Sequence, residues 1–211
     1  PDRRANERTF SDIDRFSREP PPANEEEMKA VLERQFSGQR IDQLVTQPDT
    51  PAERAQELCH RAFDTFGRRR VQLAREALQL DLDCAEACVI LAEQAGTLDA
   101  EADYYAKGIA AGERALGPEV FEKEAGRFWG VSATRPYMRA RLGLAQSLEQ
   151  LDRVDEAVEH YRELLRLNPE DNQGARYLLM PRLLELGHDV EAARLLKSSD
   201  EESASWAYAQ A

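Results

Sequence analysis

Residues 138–171 read MRARLGLAQSLEQLDRVDEAVEHYRELLRLNPED, a stretch that carries the clearest structural pattern in the chain. Its apolar residues recur at helical spacing in two runs. Leu144, Ala145 and Leu148 line the first, and Ala157, Tyr161 and Leu164 line the second. The small side chains at 145 and 157 let two helices approach closely, while Leu144, Leu148 and Tyr161 fill the seam between them. Asn168-Pro169 ends the second run, because proline has no N–H with which to continue a helix. The unit is a helical pair followed by an enforced turn.

The same design extends in both directions. Downstream, Leu179, Leu183, Gly187, Ala192 and Leu196 repeat it loosely, with Pro181 expected to kink the first helix of that pair. Upstream, Thr50-Pro51-Ala52-Glu53 combines a capping threonine, a proline at the first helical position and a reciprocal glutamate. That helix is expected to run to about Phe66 and stop at Gly67. Helices are expected over 68–80, 85–96 and 99–115, with Pro118 opening another. An irregular, aromatic-containing connection over 126–135 precedes helices at about 137–151, 154–167, 172–186 and 189–197. Residues 1–49 read as an extended N-terminal arm with one short helix, Glu25 to Phe36, and residues 50–211 as the helical repeat domain. Phe10, Ile13 and Phe16 form an apolar patch in the arm that docks on the body or on a partner. Ser203 to Ala211 is amphipathic and stops mid-pattern, as though more helix followed.

The 34-residue unit at 138–171 resembles the tetratricopeptide repeat. Its small residues at positions eight and twenty, its aromatic at twenty-four and its terminal proline are present. The usual turn glycine is replaced by Asp152 or Arg153. The pairs at 52–82 and 85–115 are degenerate copies, with Leu82 where the closing proline stands elsewhere. The resemblance implies an all-α fold of antiparallel helical pairs stacked as a short right-handed solenoid. It also implies a protein or peptide partner bound along the concave face. A narrower resemblance is carried by Asp83 to Glu93 and by the run from Tyr137-Met138-Arg139-Ala140-Arg141-Leu142 to Arg162. With the insertion between them, these look like the cytosolic helical part of the suppressor-of-tumorigenicity-7 family and its bacterial relatives, over roughly residues 68–200. That family offers no established catalytic residues to carry over, and its membrane segments have no counterpart here.

Composition agrees. Of 211 residues 42% are hydrophobic, enough for a core, and the dominant Ala, Leu, Glu and Arg favour helix. A net charge of −12 sets the whole-molecule field against a phosphate polymer, so no nucleic-acid partner is expected. No apolar run reaches the roughly 20 residues that span a bilayer. Three cysteines, Cys59, Cys84 and Cys88, do not make a disulfide framework and point to a reducing, cytoplasmic setting. Neither a phosphate loop nor a metal-protease or nucleophile motif is legible, and neither catalysis nor a cofactor is expected.

Two surfaces are candidates for partner binding. The junction from Arg127 to Tyr137 concentrates aromatic and arginine residues, with Arg127, Trp129, Arg135 and Tyr137 of the types that dominate interface hot spots. The competing reading is that its aromatics plug the gap between helical pairs. On the concave face the expected polar contacts are Arg139, Gln146, Gln173, Arg176 and Tyr177, with Arg176 placed to fork onto a partner carboxylate. Solvated helix faces are the alternative there. Some tetratricopeptide proteins clamp a C-terminal carboxylate with asparagines and lysines; Gln146 and Tyr177 stand where asparagines are expected. The basic run Arg68-Arg69-Arg70 is read as surface ion pairs with neighbouring acidic helices. The alternative role is an assembly or regulatory subunit that homo-oligomerises through the arm and the last helix.

Overall fold

The computed structural model describes residues 50–197 together with Glu7. The expected arm elements, including Phe10, Ile13, Phe16 and the 25–36 helix, and the segment from Ser203 lie outside those residues. Helix α1 (Pro51–Phe63) starts as its sequence demands. The Thr50 hydroxyl accepts from the Glu53 N–H, and the Glu53 carboxylate accepts from the Thr50 N–H, both at 3.1 Å. It stops three residues short of Phe66, because the Thr65 hydroxyl and N–H both turn back onto the Ala62 carbonyl. Phe66 then stands in extended backbone just ahead of α2 (Gly67–Leu80).

Every residue of α3 (Ala85–Ala92) is buried, as befits a run that is apolar on nearly all sides. It is shorter than expected, ending before the loop to Thr97, whose hydroxyl caps α4 (Leu98–Lys123) by accepting from the Ala100 N–H. Gly117 breaks α4 with φ 71° and ψ 161°, a combination reserved for glycine, and Pro118 starts the second arm as its sequence implies. The irregular connection is two short 3₁₀ turns, Phe128–Gly130 and Ser132–Thr134.

Then come α5 (Arg135–Gln150), α6 (Val154–Leu167), α7 (Ala175–Glu185) and α8 (Asp189–Lys197). The turn between α5 and α6 lacks glycine because Asp152 itself takes the left-handed conformation, φ 60°, which a short polar side chain tolerates. Helix α7 begins three residues later than expected. The Asp171 carboxylate accepts from the Ala175 and Arg176 N–H groups at 2.7 and 2.9 Å and so defines the helix start there. The helix continues on both sides of Pro181.

The fold is all-α. The helices pack in neighbouring pairs, α1 with α2, α3 with α4, α5 with α6 and α7 with α8. The first helices also touch along a row, α1 on α3 and α3 on α5. The pattern is that of a helical repeat. One apolar cluster joins α1, α2 and α3, and a second runs from α3 to α8; Tyr104 packs against both. The decisive pair keeps its promise: Ala145, Ala157, Tyr161 and Leu164 are all buried in the seam of α5 and α6.

A candidate partner-binding groove

A cavity of about 370 Å³ lies between α1, α3, α4 and the junction. Gln56 and His60 of α1, Cys84 to Glu86 at the start of α3, and Ala115 and Leu116 of α4 line it. Ser132, Ala133 and Tyr137 of the junction and Glu7 complete the lining.

The junction is built from its own carbonyls. The buried Thr134 hydroxyl satisfies Val131 at 2.8 Å and also Phe128, which ties the two 3₁₀ turns into one unit. Tyr137 is 1% exposed, and its ring meets Phe121 edge-on at 5.0 Å and Phe128 at 5.9 Å. Its hydroxyl accepts from Arg141 Nε at 2.9 Å. Burial pushes the Tyr137 phenol above its ordinary range, against the pull of Arg141. Phe128 and Tyr137 thus fill the gap between helical pairs, and Tyr137 presents almost no surface to a partner. Trp129 is half-buried, and Arg135 lies over its indole at 5.7 Å while its Nε donates to the Trp129 carbonyl at 3.0 Å. Arg127 is the outlier, 71% exposed at its side chain and paired with Glu124 at 2.7 Å.

Arg139 lies one helical turn beyond Arg135. Its guanidinium binds Glu86, a carboxylate with 0% exposure inside the otherwise apolar α3, and also forks onto Glu7 at 2.7 and 2.9 Å. Burial works against the charge of Arg139, but Glu86 and then Glu7 outweigh it and raise its pKa. Arg135, Arg139, Glu86 and Glu7 therefore meet at one place. Sequence reading located the two arginines and missed both carboxylates. Glu86 had a usable signal: it is the one charge in the run 85–92, and a charge amid buried apolar residues demands a partner.

The remaining candidates sit apart. Gln146 is exposed on α5, seven residues beyond Arg139 and so on the same helix face. Gln173 donates to the Met138 carbonyl at 3.3 Å, bracing the loop before α7 against α5. Arg176 is held by Asp171 at 3.1 Å and by the Pro169 carbonyl at 2.7 Å, so its fork closes the turn of its own chain. Tyr177 is 39% exposed.

Residues 138–180 match the tetratricopeptide repeat family. The match covers α5, α6 and the start of α7, the pair that the 138–171 spacing singles out. No curated protein and no solved structure matches the chain. The comparisons give no support to the suppressor-of-tumorigenicity-7 resemblance. The tetratricopeptide element is of a type that generally mediates protein–protein contacts, and Arg139 and Gln146 lie on its first helix. Among the described residues no helix is long and apolar enough to cross a membrane. Arg70 is buried against Glu93 at the end of α3, at 2.9 Å, and Arg69 lies 3.9 Å from Glu76 of its own helix, so one arginine of the basic run is tied to a neighbouring helix and another pairs within α2. The three cysteines are buried, with the Cys59 and Cys84 sulfurs 3.6 Å apart, and burial first of all raises the Cys88 thiol to about 11.

The same element contains a pH-sensitive histidine. Arg141 can only donate, so its 3.2 Å contact to His160 Nδ1 requires a neutral ring with its proton on Nε2. Burial first, then Arg141, lowers the His160 pKa from 6.5 to about 4, with Glu156 and Glu159 pulling the other way. The unfolded chain therefore binds this proton at a higher pH than the folded one. The folded state loses stability as pH falls from about 6.5 toward 4. Allowing for solvent screening of a partly buried ring, the loss by pH 5 is about 1 kcal/mol. Urea midpoints at pH 7 and pH 5 check this. The native chain is expected to lose about 1 kcal/mol more than His160→Gln, and equal losses reject the assignment.

Proposed function

We propose that this chain is a non-catalytic protein–protein interaction scaffold of tetratricopeptide type. It takes a peptide or protein partner in the groove formed by its first helices and the 127–137 junction. The observation that carries this reading is the groove beside a matched tetratricopeptide unit. A cavity lies between α1, α3, α4 and the junction, lined by Ser132, Ala133 and Tyr137 of the junction and by Glu7, the carboxylate that pairs with Arg139. Buried thiols suit a reducing compartment, and we place its work in the cytoplasm.

The test blocks the cavity without cutting core contacts. Ala115 and Ala133 line it and are exposed, so an Ala115→Arg, Ala133→Arg variant fills the space from the solvent side. Affinity capture from the source lysate at moderate salt compares this variant with the intact chain and with Arg75→Ala, a substitution on exposed α2 surface. A protein retained by the intact chain and by Arg75→Ala but lost by the blocked variant supports the groove. Equal retention by all three, or by none, removes it.

A further inference from the structure

Arg139 is an unusual groove residue in that its charge is already matched from behind. Glu86 binds it from the core, and a buried carboxylate facing a guanidinium fixes the orientation of the planar group. The guanidinium therefore presents two N–H groups in a set direction. Glu7 accepts both, one oxygen each, at 2.7 and 2.9 Å, and Arg135 lies 3.7 Å from one of those oxygens. Arg135 is itself held in place by the Trp129 ring and carbonyl. Two positioned guanidinium groups that meet one carboxylate from a distant part of the chain, a carboxylate that itself lines the cavity, describe a receptor and its occupant. The occupant comes from 132 residues away in sequence. Only the carboxylate of Glu7, and no backbone geometry, is needed to make the fork.

We propose that Arg139 and Arg135 form a carboxylate-binding subsite that takes a single acidic side chain of a partner peptide, and that Glu7 fills it in cis, so that a partner must displace Glu7 to bind. This rests on the groove reading above and adds to it the chemistry of one subsite. The partner segment is acidic at the residue that enters, because both groups facing it are guanidinium. A neutral amide of the same shape has one oxygen and two hydrogens and leaves a donor facing a donor. A tethered occupant competes at an effective concentration in the millimolar range, so a free peptide binds the native chain weakly and the unoccupied chain far better.

The experiment uses the full chain and a labelled synthetic peptide of its own residues 1–20, PDRRANERTFSDIDRFSREP, added in trans as a stand-in for a partner segment that brings one glutamate to the subsite; its five acidic and five basic side chains balance, so net charge alone does not drive its binding. Fluorescence anisotropy measures its affinity for the native chain, for Glu7→Gln, and for Glu7→Gln combined with Arg135→Gln. We expect Glu7→Gln to bind the peptide at least about tenfold tighter than the native chain does. The same Glu7→Gln chain is expected to bind a peptide carrying glutamine at its seventh position at least about tenfold more weakly. Arg135→Gln is expected to remove part of the gain, and 0.5 M salt most of it. Equal binding by the native and Glu7→Gln chains overturns the proposal, as does equal binding of the two peptides or no binding by either chain. The groove reading stands or falls separately. Loss of a captured protein from the arginine-blocked variant, with no preference for the glutamate peptide, keeps the groove and removes the carboxylate subsite. The reverse pattern keeps the subsite and removes the scaffold role assigned to the cavity.

Discussion

Arg139→Ala is expected to destabilise the fold by about 3–5 kcal/mol, because it removes the guanidinium paired with the buried Glu86 carboxylate. Glu86 has 0% exposure and belongs to a helix whose eight residues are all buried, so it cannot reach water without opening α3. The Arg139 guanidinium offsets part of the desolvation cost of that carboxylate and joins α5 to α3, which it packs against. Thermal and urea unfolding measure the loss. A second variant separates the charge from the packing: Glu86→Leu with Arg139→Met replaces the pair by apolar groups of similar bulk. It should be much closer to the native stability than Arg139→Ala alone, since a buried ion pair gains little over a well-packed apolar one. A loss below about 1 kcal/mol in Arg139→Ala would show that Glu86 is neutral or solvated in the folded chain, and the account of this pair would be withdrawn.

Gly143→Ala is expected to cost about 2–3 kcal/mol, lowering the melting temperature by about 5–10 °C, although alanine is the better helix former. The reason lies across the seam between two helical pairs. The Tyr105 ring of α4 lies flat against the bare Cα of Gly143 in α5. A methyl there would come within 2.6 Å of the ring's Cε2 and nearer still to Cζ and Cε1. Tyr105 is buried in the larger apolar cluster, so its ring has little room to move aside. In a Tyr105→Leu background the same methyl should cost less than about 1 kcal/mol, a coupling that identifies the ring as the obstacle. An unchanged or raised melting temperature in Gly143→Ala alone would rule the close approach out.

These two effects differ in how far they could be read in advance. The pair α5 and α6 was legible because its signals are local. Small residues at 145 and 157 sit three and four residues from large ones at helical spacing, and Pro169 ends the unit by lacking an N–H. The capping box at Thr50 and the break at Gly117-Pro118 are local in the same sense, and each appears where its residues place it. The late start of α7 was not legible from periodicity, since it depends on the Asp171 side chain taking two backbone N–H groups that its neighbours could equally have donated to water.

The site shows the same division. Residue type alone marked Trp129, Arg135, Tyr137 and Arg139 as unusual in an acidic chain, but type does not say which of them faces solvent. Tyr137 turns inward because Phe121 and Phe128 leave a gap that its ring fills, and Arg176 is spent on Asp171 and the Pro169 carbonyl of its own turn. Local spacing was enough to read the helices over residues 50–197, most of their ends, and one unit of tetratricopeptide spacing. Those features depend on hydrogen bonds and side-chain rows within a few residues of each other. Helix packing brings Glu86 and Glu7 onto Arg139 and sets the Tyr105 ring against Gly143. These pairings are separated by 38 to 132 residues, and no local periodicity records a partner brought in by the packing of other helices.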